Sequence, residues 1–77
     1  MPVVGVNPTY VDVLIGVQIR SAREHSNQTI LKLAELIDCG REDILSFEFG
    51  WRRPSAKQIL QLAQAFSLPI SYFFRKL

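Results

Sequence analysis

Apolar positions recur at three- and four-residue steps along most of the chain, and nowhere does the period change to the alternation that marks a strand. Val11, Leu14, Ile15, Ile19 and Ala22 define one face of a first helix, expected over about 8–25. Asn7-Pro8 is a start signal, with Asn at the N-cap and Pro at the first helical position, and Thr9 is a competing cap. In the turn Ser26-Asn27-Gln28, Asn27 can take the left-handed conformation that closes a helix. Thr29 caps a second helix, about 30–37, whose stripe is Ile30, Leu33, Ala34 and Ile37. Asp38-Cys39-Gly40 interrupts it, and Gly40 is an acceptable N-cap for a third helix, about 41–49. There Ile44, Leu45 and Phe47 are apolar, while Glu42 and Asp43 fall in the first turn, where the helix dipole favours acids. Gly50 stops the third helix and Pro54 bars its continuation. Ser55 caps a fourth, about 56–66, lined by Ile59, Leu62, Ala63 and Phe66. Leu68-Pro69 leads into a short fifth helix, about 70–75. The pattern therefore predicts an all-α fold of five helices in a single domain, 1–77, with residues 1–7 as an N-terminal arm.

Composition narrows what such a domain can do. With 77 residues, 48% of them hydrophobic, the chain can close one compact core and is not expected to be disordered. It leaves little room for a catalytic cleft. The net charge of +2 is small, but the charges are segregated. Asp38, Glu42, Asp43 and Glu48 against Arg41 give the third-helix region −3, whereas Arg52, Arg53 and Lys57 give the following stretch +3. Cys39 stands alone, so no intrachain disulfide can form, and a reducing cytosol is the expected setting. With His25 as the single histidine, Cys39 makes a poor metal site and is expected to be a small buried residue. There is no Gly-rich phosphate loop and no paired carboxylate site, so neither enzymatic activity nor a cofactor is expected. The start of the chain lacks a signal-peptide pattern, and no apolar run reaches membrane-spanning length.

Specific residues carry a resemblance. Ile15-Gly16, Ile19-Arg20 and Arg23 look like an opening helix; Leu33-Ala34 stands as the Leu-Ala pair of a second helix. Ile44 is at a buried aliphatic site, Glu48 and Gly50 form a Glu-x-Gly closure, and Arg52-Arg53-Pro54-Ser55 follows as an Arg/Pro/Ser linker. Leu62, Ala63, Phe66-Ser67-Leu68 and Phe73-Phe74 complete the pattern. Together these positions resemble the lambda repressor/Cro (Xre-type) helix-turn-helix family over about residues 15–74. The resemblance implies a compact five-helix, lambda repressor-like DNA-binding domain whose helix-turn-helix is formed by helices 2 and 3, with helix 3 entering the major groove. It also implies an ion pair between Arg23 and Glu48. Three positions depart from the family: Ile30 where Gln is usual, Gln28 where an apolar residue is common, and Asp38 where Gly is usual.

On that frame the site residues follow. Arg41, Glu42, Leu45 and Ser46 are the expected base contacts. Arg41 suits guanine O6 and N7, Glu42 suits cytosine N4, and Leu45 suits a thymine methyl. Expected phosphate contacts are Thr29, at a helix start with free N–H donors, together with Arg52, Arg53, Lys57 and the weaker Arg20. Trp51 either lies along the DNA backbone or packs on the core, the second being favoured. Five of the last eight residues are apolar or aromatic. Phe73 is expected to face inward, and Ile70, Tyr72, Phe74 and Leu77 form a candidate dimer surface.

The expected function is sequence-specific binding of double-stranded DNA by a dimeric transcriptional repressor in a bacterial or phage cytoplasm. The alternative is a protein-interaction module on the same fold, an antitoxin or an antagonist of another regulator, with weak or no DNA binding. The acidic start of helix 3 favours that alternative, because Glu42 and Asp43 would repel phosphates.

Overall fold

The computed structural model describes residues 9–76. The arm 1–7, the Asn7-Pro8 start signal and Leu77 lie outside these residues. Four α-helices are present: α1 (Tyr10–His25), α2 (Ile30–Leu36), α3 (Arg41–Glu48) and α4 (Ala56–Phe66). A 3₁₀ helix, Ile70–Phe74, follows. No strand occurs among the described residues.

Each α-helix starts on a side-chain or backbone cap. Thr9 caps α1 by accepting the Asp12 N–H, and the Asp12 carboxylate accepts the Thr9 N–H in return. Thr29 accepts the Lys32 N–H at α2, and Ser55 and Gln58 form the same reciprocal box at α4. Gly40 has no side chain, so at α3 only the return bond exists, from the Gly40 N–H to Asp43.

The helix ends share one geometry. Asn27, Asp38, Gly50 and Ser67 all have φ between 56° and 77°. The residue after each donates its N–H to a carbonyl five positions back: Gln28 to Arg23, Cys39 to Ala34, Trp51 to Ser46 and Leu68 to Ala63. This is the Schellman closure, which satisfies carbonyls that a helix end leaves without partners. A glycine fills the left-handed position in only one of the four.

Leu14, Ile15, Ile19 and Ala22 of α1 turn inward. Val11 is 36% exposed and Tyr10 62% exposed, because the first turn of α1 projects beyond the core; Val11 does not join the inward stripe. Leu33, Ala34, Ile37, Ile44, Phe47, Ile59, Leu62, Ala63 and Phe73 complete the core. At Gly16, α1 meets the end of α3. A Cβ there would lie 2.3 Å from the Phe47 carbonyl oxygen and 2.7 Å from that of Glu48, so only a glycine allows this approach.

The fifth element differs from the expected α-helix over 70–75. Five residues after Pro69 are too few to propagate an α-helix, and the segment tightens to 3₁₀ geometry, with Tyr72 N–H bonded to the Pro69 carbonyl. It places Phe73, fully buried, as a plug against the α-helices. Gln18 anchors this segment by donating to the Arg75 carbonyl oxygen at 3.0 Å.

Candidate nucleic-acid interface

Helices α2 and α3 are joined by the tight turn through Asp38, and they bury Leu33, Ala34, Ile44 and Phe47 between themselves and the rest of the core. Burial of Ile44 and Phe47, three positions apart, fixes the rotation of α3 about its axis. Arg41 and Glu42 are then exposed, and Leu45 and Ser46 are half-buried. Thr29, Arg20, Arg52, Arg53 and Lys57 are also exposed.

The start of α2 and the middle of α3 border a cleft of about 150 Å³, lined by Arg20, Arg23, Ile30, Leu45, Glu48 and Phe49. Ile30 is half-buried and packs against the core from the first turn of α2. Its place in the cleft is therefore apolar, where a polar side chain is usual in the family it resembles.

The ion pairs sort the arginines. Arg23 binds Glu48 with two parallel bonds, Nε to Oε2 at 2.7 Å and Nη2 to Oε1 at 3.1 Å. Its remaining Nη donates to the Gln28 carbonyl at 3.1 Å. Arg52 bonds Asp43 and lies over the Phe47 ring at 5.2 Å. Arg53 bonds Asp12 at 2.7 Å. Arg20 pairs with Glu24 one turn along α1, where both are more than half exposed. Among the described residues, Arg41 and Lys57 form no ion pair. Lys57 stands at the start of α4 beside a second cleft of about 350 Å³, which Ile37, Asp38, Ser55, Gln58 and Gln61 also line.

Arg52 and Arg53 are thus engaged in surface ion pairs within the chain, which the sequence pattern did not reveal. The available signal was an aspartate at the third position of α1 and of α3, Asp12 and Asp43. Their carboxyls are both held below the ordinary aspartate value, first by the arginine hydrogen bond.

Trp51 does not pack on the core. It is 61% exposed and stacks on the equally outward Phe49, with ring centroids 5.2 Å apart. The left-handed turn at Gly50, pressed against the Val13 backbone, turns the chain outward at this point. Cys39 is half-buried against the core, and burial pushes its thiol pKa up, with Asp43 adding to the shift. No group of three metal-binding side chains occurs among the described residues.

At the far end, Ile70 and Phe74 are each 46% exposed. Tyr72 is less available than these two. It is half-buried, meets Phe73 edge-on and carries the Arg75 guanidinium 4.2 Å above its ring. Within the described residues, no helix is long and apolar enough to cross a membrane.

Comparison with known proteins adds two likenesses, although no protein-family model matches the chain. An uncharacterized HTH-type transcriptional regulator, y4wC, of Sinorhizobium fredii (strain NBRC 101917 / NGR234) is 33% identical over 67 residues. The match takes in 87% of this chain and 47% of the relative, so the chain spans about half the length of that protein. Among solved structures, the restriction-modification controller protein C.AhdI from Aeromonas hydrophila superposes with a TM-score of 0.76 at 29% identity, covering 80% of this chain and 94% of that one. These likenesses group the chain with regulators, not with enzymes. In sequence the chain is similar to a helix-turn-helix transcriptional regulator, and its fold matches that of the controller protein.

Proposed function

We propose that the chain is a sequence-specific, double-stranded-DNA-binding transcriptional regulator of the lambda repressor/Cro (Xre) type, and that it represses as a homodimer in a bacterial or phage cytoplasm. One observation carries this reading. The rotation of α3 fixed by Ile44 and Phe47 leaves Arg41 and Glu42 exposed at its start, on the second helix of a helix-turn-helix. Likeness to a transcriptional regulator and to a controller protein supports it.

In this mechanism α3 enters the major groove. Arg41 and Glu42 contact base edges, and Leu45 and Ser46 contact them one turn later. Each well-made bidentate contact contributes about 1–3 kcal/mol of discrimination. Thr29, Arg20, Arg52, Arg53 and Lys57 hold the phosphates; they set register and affinity without reading sequence. Arg23 and Glu48 hold α1 to α3 behind this surface. Ile70, Tyr72, Phe74 and Leu77 meet the same residues of a second copy. A two-fold pair then spaces two α3 helices about one DNA turn apart. Repression follows from occupying an operator that polymerase needs. The test is selection of bound duplexes from a random pool, with affinity of the selected sequence followed against salt. An enriched inverted repeat and a steep salt slope support the reading.

The exposed Phe49–Trp51 stack favours a second reading, in which the same fold binds another protein. No enriched sequence, with only weak binding at low salt, selects it.

A further inference from the structure

Arg52 and Arg53 are neighbours in the chain, yet their guanidinium groups go to different helices. Arg52 reaches Asp43 at the start of α3, and Arg53 reaches Asp12 at the start of α1. The two carboxylates hold equivalent places. Each is the third residue of its helix, and each uses Oδ2 to accept the N-cap N–H, from Thr9 at 3.3 Å and from Gly40 at 2.9 Å. Each then offers Oδ1 to one arginine. A carboxylate fixed by its own helix cannot follow an arginine that moves away.

We propose that Asp12 and Asp43 are internal counter-ions of Arg53 and Arg52, and that they set the affinity for DNA by competing with phosphate for the two guanidinium groups. The proposal rests on the DNA-binding reading above. In the free chain both arginines are already neutralised. On DNA each either exchanges its carboxylate for a phosphate or brings that carboxylate close to one, where like charges repel. Both routes make the contact weaker than one from an unpaired cation such as Lys57 or Arg41. Each arginine is about half exposed and bound to its carboxylate through a single nitrogen, so the exchange needs no change in the fold. A single chain would thereby bind DNA weakly, and occupancy would depend on the added contacts of a second copy.

The test compares the wild type with Asp12→Asn, Asp43→Asn and the double variant. Asparagine keeps an oxygen able to accept the N-cap N–H, so charge is removed while the cap remains. Glu35→Gln, on α2, removes the same unit charge without touching either arginine, and controls for net charge. Binding to a short duplex of arbitrary sequence is followed against salt by fluorescence anisotropy. Each Asn substitution should tighten binding about two- to fivefold at low salt. It should also steepen the slope of log affinity against log salt by up to about 0.9 per released arginine. Glu35→Gln should do less. Should Asp43→Asn fail to fold, the Asp12→Asn and Arg53→Gln cycle decides: removing Arg53 must cost more affinity in the Asp12→Asn background than in the wild type. If the wild type binds DNA but the Asn variants bind no tighter than Glu35→Gln, the competition is refuted while DNA binding stands. If neither the wild type nor any variant binds at low salt, the DNA reading fails and the proposal fails with it.

Discussion

Arg23 of α1 and Glu48 of α3 face each other through two parallel hydrogen bonds, with only 14% and 6% of their side chains exposed. The same arginine closes the α1–α2 turn through the Gln28 carbonyl, so one side chain ties α1 to α3 and to the turn that leads into α2. Beside this pair, Gly16 lets α1 approach the last turn of α3. The orientation of the surface carrying Arg41 and Glu42 therefore depends on a contact made behind it.

Breaking that pair should be costly and unequal. In Arg23→Ala, Glu48 is left as a nearly buried, unpaired carboxylate, and stability should fall by about 2–4 kcal/mol. Glu48→Ala leaves Arg23 with its carbonyl partner and more access to water, so its loss should be smaller. Replacing both, as Arg23→Met with Glu48→Leu, should cost less than Arg23→Ala alone, because no charge is stranded. Urea unfolding of the three variants decides. A double variant less stable than Arg23→Ala would show that the pair adds stability beyond what apolar packing supplies.

Three of the four helix ends place a residue other than glycine in the left-handed region, where a Cβ costs about 1–2 kcal/mol. Asp38→Gly and Ser67→Gly should therefore each raise stability, by about 0.5–1 kcal/mol after the added freedom of the unfolded chain is subtracted. Asn27→Gly should change less, because Asn tolerates this region. The opposite change, Gly50→Ala, combines φ of 77° with a Cβ 3.0 Å from the Val13 Cα, and should destabilise by about 2 kcal/mol. Thermal melting checks the set; a fall in stability for Asp38→Gly would mean that its carboxylate makes a contact worth more than the strain.

The all-α class and the helix-turn-helix arrangement were legible because they rest on local signals. Leu33, Ala34, Ile37, Ile44, Ile59, Leu62 and Ala63 repeat at helical spacing, and Thr29, Gly50 and Ser55 punctuate the helices with known chemistry. What was not legible depends on partners distant in sequence. Asp12 reads as a cap and Asp43 as an acid at a helix start, and only the fold brings Arg53, 41 positions away, against Asp12. Val11 fits the apolar stripe by spacing, yet it sits where the core has ended. Trp51 is large and apolar, but the geometry of Gly50 decides its direction. The last segment follows a proline that can start a helix, but its five residues, ISYFF, are few and are weak helix formers.

The same aspartates give a pH dependence. Asp12 and Asp43 are both held below the ordinary aspartate value of 3.8, chiefly by Arg53 and Arg52. The unfolded chain therefore binds these protons more readily than the folded one, and stability falls as pH falls. Their contribution is complete above 3.8 and disappears as pH passes down through the lowered folded values. At neutral pH, Asp12→Asn should melt below the wild type. The gap should narrow as pH falls below 3.8 and close once pH has passed below the lowered folded value. A constant gap across this range would mean that Asp12 acts through its shape and not through its charge.

Base readers and phosphate holders should separate cleanly under substitution. Arg41 is exposed at the start of α3 and Lys57 at the start of α4, and neither has an ion pair among the described residues. Neither substitution strands a partner, so both should leave the fold intact. With Arg41→Ala, discrimination at one base pair in each half-site should drop by about 1–3 kcal/mol, while affinity for arbitrary sequence changes little. Lys57→Ala should weaken all sequences alike and flatten the salt slope by about 0.9. Competition binding of a selected operator against its single-base variants, repeated at several salt concentrations, measures both effects. If Arg41→Ala preserves every base preference while Lys57→Ala alters one, then α4 reads the groove and the assigned docking of α3 is wrong. If both act uniformly, the chain holds DNA by its backbone alone, and sequence choice comes from elsewhere.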